Sequence, residues 1–234
     1  MKKLAIIIVK YREEEKLRRC LESLEKSVLP TNWQKEIILI DNSQYNQGFA
    51  RGVNQGLRQA LEAGTEAALL LNPDTEVEPD FLMPLLANSA DIIAPVIKFR
   101  RKGRGVMDFG GRINWWIGRT KHLEKPAKID YVSGCAMLIR SPVWEKIGFL
   151  NEDYFLYFED VDYCLRARKA GFKVAVEKEA TVKHYLLEGA KKPLFQRWHL
   201  WRSNLIFINH WLPFYRRPLA YVYWWFLGLK IFIL

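Results

Sequence analysis

Short, unbroken apolar runs alternate along the chain with amphipathic stretches. Leu4-Ala-Ile-Ile-Ile-Val9, Ile37-Ile-Leu-Ile40, Ala67-Ala-Leu-Leu-Leu71 and Ile92 to Ile97 are each rich in aliphatic residues, the pattern of strands buried on both faces of a parallel sheet. Between them, Leu17, Cys20, Leu21 and Leu24 recur at helical spacing among charges, and so do Phe49, Val53, Leu57 and Ala60. Each set predicts an amphipathic helix, the second closed by Gly64. A short helix is expected from Pro79 through Leu86. Strand–helix alternation of this kind predicts an α/β fold with a largely parallel sheet.

The middle of the chain is less periodic. Lys98 to Arg104 reads as a basic loop, and Asp108 to Lys125 as a long irregular segment of the sort that forms a binding loop or lid. Tyr131 to Ile139 reads as a strand whose small residues, Ser133, Gly134, Cys135 and Ala136, leave room for a close approach to the backbone. Pro142 opens a short helix that Gly148 closes. Glu159 to Ala170 reads as a helix with acids in its first turn and Arg166, Arg168 and Lys169 in its last, as the macrodipole favours. Val174 to Val176 and Ala180 to Val182 are two further apolar stretches.

Composition divides this picture in two. The chain has 234 residues and a net charge of +10. From Lys183 onward, eight Lys or Arg stand against one acid, with 14 of the 32 aromatics. Residues 1–184 are therefore expected to form the α/β domain, and 185–234 a basic, aromatic helical appendage. Half the chain is hydrophobic, which excludes disorder. Three cysteines without paired spacing exclude a disulfide framework and suit a reducing compartment. The apolar run near the N-terminus is too short for a signal peptide and is followed at once by charge.

Ligands of open α/β sheets bind beyond the carboxyl ends of the strands. Asp41 and Asp74 directly follow the second and third predicted strands, so both point toward one crevice, although an acid there also serves as a simple turn former. Pro73 stiffens the turn that carries Asp74. Mg²⁺ or Mn²⁺ takes one or two carboxylates together with phosphate and water oxygens; Asp74 suits that task, with Asn72 or Glu76 assisting and His184 available to Mn²⁺. In Tyr154-Phe-Leu-Tyr-Phe-Glu-Asp-Val-Asp162, helix capping accounts for one acid but not for three. Asp162 is placed to pair with Arg166 four residues on, which leaves Glu159 and Asp160 as candidates for general-base work with raised pKa values. Neither a phosphate-binding GxxxxGK[ST] loop nor GxGxxG nor GxSxG is present.

In order, Ala5-Ile-Ile-Ile-Val-Lys-Tyr11, Ile40-Asp-Asn-Ser43, Asn46-Gln-Gly-Phe-Ala-Arg-Gly-Val-Asn-Gln-Gly56, Leu70-Leu-Asn-Pro-Asp-Thr75, Ser133-Gly-Cys-Ala-Met-Leu-Ile-Arg140 and Phe155-Leu-Tyr-Phe-Glu-Asp-Val-Asp-Tyr-Cys-Leu-Arg166 resemble the family-2 glycosyltransferases of GT-A fold, in particular their rhamnosyltransferase-like branch. The resemblance spans residues 4 to 184. It implies an inverting transfer of a hexosyl or rhamnosyl group from a dTDP- or UDP-sugar to a hydroxyl of a glycan or polyprenyl-linked acceptor. Asp41, with Asn42, would contact the nucleotide, and Arg51 and Asn54 would lie near it. Asn72-Pro73-Asp74 looks like the family's DxD variant, with Asp74 and His184 on a divalent metal, and Asp160 beside Glu159 would be the base. The chain departs from the pattern after Ser43, where only Gln44 and Tyr45 precede Asn46 and the usual helix and strand are missing. Position 10 is Lys where Asn or Thr is commoner, a cation placed to help hold phosphate.

Leu219 to Leu234 is too short to span a bilayer. Trp198, Trp201, Trp211, Trp224 and Trp225, with Arg197, Arg202, Arg216 and Arg217, suit a pair of helices lying on the inner face of the cell membrane; the plainer reading is a helix packed on the core. A basic aromatic patch also stacks on single-stranded nucleic acid, but no other feature points to nucleic acid. The rivals to an enzyme of this family are a non-catalytic membrane-associated binder of nucleotide-sugar or glycan, and a sugar-1-phosphate nucleotidyltransferase. The latter needs a Gly- and Arg-rich loop after the first strand, where this chain has Lys10-Tyr-Arg-Glu-Glu14.

Overall fold

The computed structural model describes residues 1–185 and 193–232. Strand β1 (Lys2–Lys10) runs through the centre, and its alternate residues feed two cores. Ala5, Ile7 and Val9 face helix α2 (Phe49–Glu62), whereas Leu4, Ile6 and Ile8 face helices α1 (Glu14–Glu25) and α3 (Leu82–Ala87). This two-sided burial is what a strand of unbroken aliphatic residues encodes. The other strands are β2 (Trp33–Asp41), β3 (Ala67–Leu71), β4 (Thr75–Val77), β5 (Ile92–Arg101), β6 (Arg104–Asp108), β7 (Gly111–Asn114), β8 (Arg119–His122), β9 (Ala136–Arg140) and β10 (Val174–His184). Helices α4 (Ser141–Ile147), α5 (Glu159–Lys169), α6 (Leu194–Trp211) and α7 (Arg217–Phe232) complete the described chain.

The main sheet has the order β2-β1-β3-β9-β5-β10-β4, with β6 paired to β5. Strands β2, β1, β3, β5 and β10 share one direction, while β9 and β4 run against them. The expected mixed α/β architecture with a mostly parallel sheet is thus present, interrupted by one reversed strand at its centre.

Several local expectations are corrected. Strand β2 lies at an edge, with Ile37 and Leu39 exposed, so its aliphatic run is buried on one face alone. The basic stretch 98–104 is a hairpin, β5 to β6, closed at Lys102 (φ 53°) and Gly103 (φ 75°); two left-handed residues match the twist of the flanking strands. The stretch 108–125 contains a second hairpin, β7 to β8. Residues 131–135 are not strand, because the chain turns there before entering β9. The two apolar stretches near 174–182 form one strand, with a break in register between Glu177 and Thr181.

Helix α6, which follows residue 184, packs into the core of the preceding residues. Phe207 and Ile208 of α6 are fully buried in the core shared with α2 and α5. Ser203 Oγ donates to the Leu156 carbonyl (2.9 Å), Asn204 Nδ2 to that of Gly118 (2.9 Å), and Trp211 Nε1 to Asp162 Oδ1 (2.8 Å). Asp162 is fully buried and also receives Arg166 Nε at 2.8 Å. Hydrogen bonds to a buried charge contribute about 1.5–3 kcal/mol. Replacing Trp211 by Phe keeps most of the ring but removes this donor. The expected result is a loss of about 2 kcal/mol, read in calorimetry as a melting point roughly 4–8 °C lower.

Candidate active site

Helix α5 begins on a strained turn. Tyr157 (φ 69°) and Phe158 (φ 71°) are both left-handed, a backbone state that costs about 1–3 kcal/mol per non-glycine residue and persists where its surroundings fix it. Here Tyr157 Oη donates to Gln196 Oε1 (3.2 Å) and Phe158 packs on Phe207. The turn aims Asp160 at the segment before β9. Its Oδ2 accepts from the Gly134 N–H and its Oδ1 from that of Val161, both at 2.8 Å. A Cβ on Gly134 would lie 3.2 Å from the Asp160 Cβ, so the small residue at 134 admits the carboxylate.

The two neighbouring acids differ in access. Glu159 is 5% exposed and its Oε2 has no hydrogen-bond partner; burial first, and then the Asp160 charge, push its pKa well up. Asp160 is half-buried. Burial raises its pKa too, opposed by the Gly134 N–H, by His122 and by the Val161 N–H. Asp160 is therefore the carboxylate with access to a reactant. Glu159, expected beside it as a catalytic group, is enclosed. Asp162 is taken up by Arg166, as its spacing predicts, and by Trp211.

The second group lies at the ends of β3 and β10. Asp74 Oδ1 is 3.1 Å from His184 Nε2, and each side chain is about one-sixth exposed. Lys16 Nζ stands 4.0 Å from Asp74 Oδ2. Asp74 and Lys16 line a cavity of 270 Å³ together with Arg19, Thr75, Glu76 and Tyr185. Burial disfavours charge on His184, but the Cys135 sulfur and the Asp74 carboxylate outweigh it and raise its pKa. The Asn72 N–H donates to the Cys135 carbonyl (2.8 Å), and its own carbonyl accepts from Thr75 Oγ1 (2.7 Å). The backbone of Asn72 thus builds the turn that presents Asp74. Among the described residues no group of three or more His, Cys, Asp or Glu side chains is arranged to hold a metal. One carboxylate and one imidazole at an opening nonetheless fit a divalent cation whose other ligands are phosphate and water oxygens.

Gly134 and Cys135 join the two groups: one donates to Asp160, while its neighbour receives Asn72 and sits beside His184. The run of small residues foretold a close approach, and what approaches is Asp160. Lys16 was not singled out from the sequence, since it lies on a helix crowded with charges.

The expected nucleotide residues separate into two kinds. Asp41 is exposed at the end of β2; the Ser43 hydroxyl and N–H and the Lys10 ammonium hold its carboxyl down to about 2. Lys10 is engaged by Asp41 (3.1 Å) and Glu14 and so is not a free cation for phosphate. Arg51 is exposed and pairs with Glu152 at 3.2 Å. Asn42 and Asn54 are buried. Asn42 donates to the Gly48 carbonyl (3.0 Å) and accepts from Gln47. Asn54 donates to the Leu150 carbonyl and Glu152 (both 2.9 Å) and accepts from the Leu150 N–H (2.9 Å). These amides fasten the loops around them.

The fold is that of GT-A glycosyltransferases. The structure of GalNAc-T7 with UDP, GalNAc and Mn²⁺ superposes with a TM-score of 0.67 at 13% identity, covering 86% of this chain and 48% of that one. S. aureus TarS in complex with UDP gives 0.57 at 18% identity, over 93% and 68%. Residues 29–198 match the family described as glycosyltransferase like family 2, and the chain belongs to that family. Its relatives include a hexosyltransferase of low-salt glycan biosynthesis, Agl10, from Haloferax volcanii (29% identical, over 73% of this chain and 63% of that protein). The rhamnosyltransferase WbbL of Escherichia coli is 21% identical over 83% and 89%. An N-acetylglucosaminyl-diphospho-decaprenol L-rhamnosyltransferase of Mycobacterium tuberculosis is 24% identical over 65% and 48%. The chain spans roughly half to two thirds of the length of most of these curated relatives.

A carboxyl whose pKa rises on folding loses stability as pH climbs above its unfolded value of about 4.3. Glu159→Gln is therefore expected to melt above wild type at pH 8, with the gap closing toward pH 4. Parallel melting curves across that range would show that Glu159 is not the source of the cost.

Proposed function

We propose that the chain is an inverting glycosyltransferase that moves a hexosyl or rhamnosyl group from a dTDP- or UDP-sugar to a hydroxyl of a glycan or polyprenyl-linked acceptor. The observation that carries this reading is the shared Gly134–Cys135 turn. It orients the accessible Asp160 carboxylate and, through the Asn72 N–H, fixes the turn bearing Asp74. In this reading the base and the diphosphate site flank that one turn. The rhamnosyl- and hexosyltransferase relatives and the UDP-bound neighbour support the donor class.

In this mechanism Asp160 accepts the proton of the acceptor hydroxyl as that oxygen bonds to the anomeric carbon. The bond from that carbon to the diphosphate oxygen breaks on the opposite face, so the configuration inverts. The Gly134 and Val161 N–H groups keep the carboxylate aimed while its raised pKa makes it a better base. Asp74 and His184 would hold Mg²⁺ or Mn²⁺, whose charge offsets that of the diphosphate. Exposed Asp41 and Arg51 are the side chains left to meet the nucleotide, on a pocket wall shaped by Asn42 and Asn54.

Asp160→Asn is expected to lower turnover by about 10²–10⁴ without lowering the melting point; retained turnover would remove Asp160 from the mechanism. UDP or dTDP at about 100 times its dissociation constant, with Mn²⁺, should add about 2.7 kcal/mol to wild-type stability. Asp74→Ala or removal of the metal should abolish that shift. If no nucleotide shifts wild type, the short connection after Ser43 has cost the chain its donor site, and a non-catalytic glycan binder becomes the better reading.

A further inference from the structure

Helix α7 is largely apolar, yet the described residues cover only one side of it. Its inner side packs on α6: Ala220 is fully buried, and Trp224 stacks on Trp201 with ring centroids 4.0 Å apart. Each of these indoles donates to the other's backbone carbonyl, at 3.2 and 2.9 Å. The outer side carries Leu219, Val222, Trp225 and Phe226, each between 52% and 58% exposed. They recur three and four residues apart and so form one stripe. A contiguous apolar face of this kind marks an interaction surface.

Charge identifies what covers it. Residues 193–232 contain Arg197, Arg202, Arg216, Arg217 and Lys230 and no acid. A second copy of the chain would bring the same cations against themselves across a two-fold contact. An anionic bilayer pairs with them, at about 1 kcal/mol per cation near the surface. The helix has 16 residues, about 24 Å at 1.5 Å per residue, against a hydrocarbon core of about 30 Å. Among the described residues no helix is long and apolar enough to cross a membrane. Cations at both ends of α7, Arg216 just before it, Arg217 at its start and Lys230 near its close, lie at one depth only when its axis is parallel to the bilayer plane.

We infer that the outer face of α7 lies in the interface of an anionic lipid bilayer, in the plane of the membrane. The inner face, backed by α6, takes the place of the polar face of an ordinary interfacial helix. The inference does not depend on the glycosyl-transfer reading, because it is tested without turnover.

The test is flotation of the full chain with vesicles of phosphatidylcholine alone, or of equal parts phosphatidylcholine and phosphatidylglycerol. Wild type is expected to float with the anionic vesicles at least tenfold better than with the neutral ones, and less as salt rises. The variant Leu219→Gln/Val222→Gln/Phe226→Gln should lose at least tenfold of this binding while its melting point stays put. Phe226→Glu alone serves should the triple variant fail to fold. Equal flotation of wild type and variant, equal flotation with neutral vesicles, or no flotation of wild type would each overturn the inference. So would a wild-type dimer in sedimentation that the variant converts to monomer, since a second copy would then own the face.

Discussion

A carboxylate removed from water must be paired and fully hydrogen-bonded or it destabilises its surroundings by several kcal/mol. Asp162 is such a group, with no exposed surface. Arg166 reaches it from one helical turn away and spends its other nitrogens on the carbonyls of Ile147 (2.9 Å) and Phe149 (2.7 Å). Trp211 completes the set from α6. Four segments are thus fixed by one buried charge: α5, the end of α4, the chain leading into 150–152, and α6. The register of α5 follows from it, and with that register comes the position of Asp160 two residues earlier.

The strain at Tyr157 and Phe158 is held by the same neighbours. Ser203 fastens Leu156, Gln196 receives Tyr157, and Phe207 lies against Phe158. All three contacts come from α6, so the strained turn is kept in place by a helix distant in sequence. The turn directs one acid into a closed pocket and the next toward Gly134. Two adjacent carboxyls consequently differ in access, through their environments and not through their chemistry.

Much of this was legible in the residues. The runs in β1 and β3 and the periodicity of α2 and α5 follow from burial alone, and Asp162 with Arg166 follows from helical spacing. The hairpins β5–β6 and β7–β8 were hidden because the end of β5 and strands β6, β7 and β8 carry Arg, Lys and His and so lack an apolar run. The reversal of β9 was equally hidden, since an aliphatic strand reads the same in either direction. Asn42 and Asn54 read as ligand contacts in a motif; that their amides also close loops depends on partners the sequence does not name. The aromatics of α6 look like membrane residues, but Phe207 and Trp211 point inward, a fact set by packing partners more than forty residues away.

The contacts of α6 also bear on how such chains diversify. A tail that merely rested on a catalytic body could be exchanged between relatives as a cassette, altering location without touching chemistry. Here Trp211, Ser203 and Gln196 are ties to the very residues that aim Asp160. A graft that joins a foreign tail after β10 would leave Asp162 short of a donor and the Tyr157 turn without support. Exchange spares these ties only where the seam falls beyond Trp211, so that α6 stays with the body it completes.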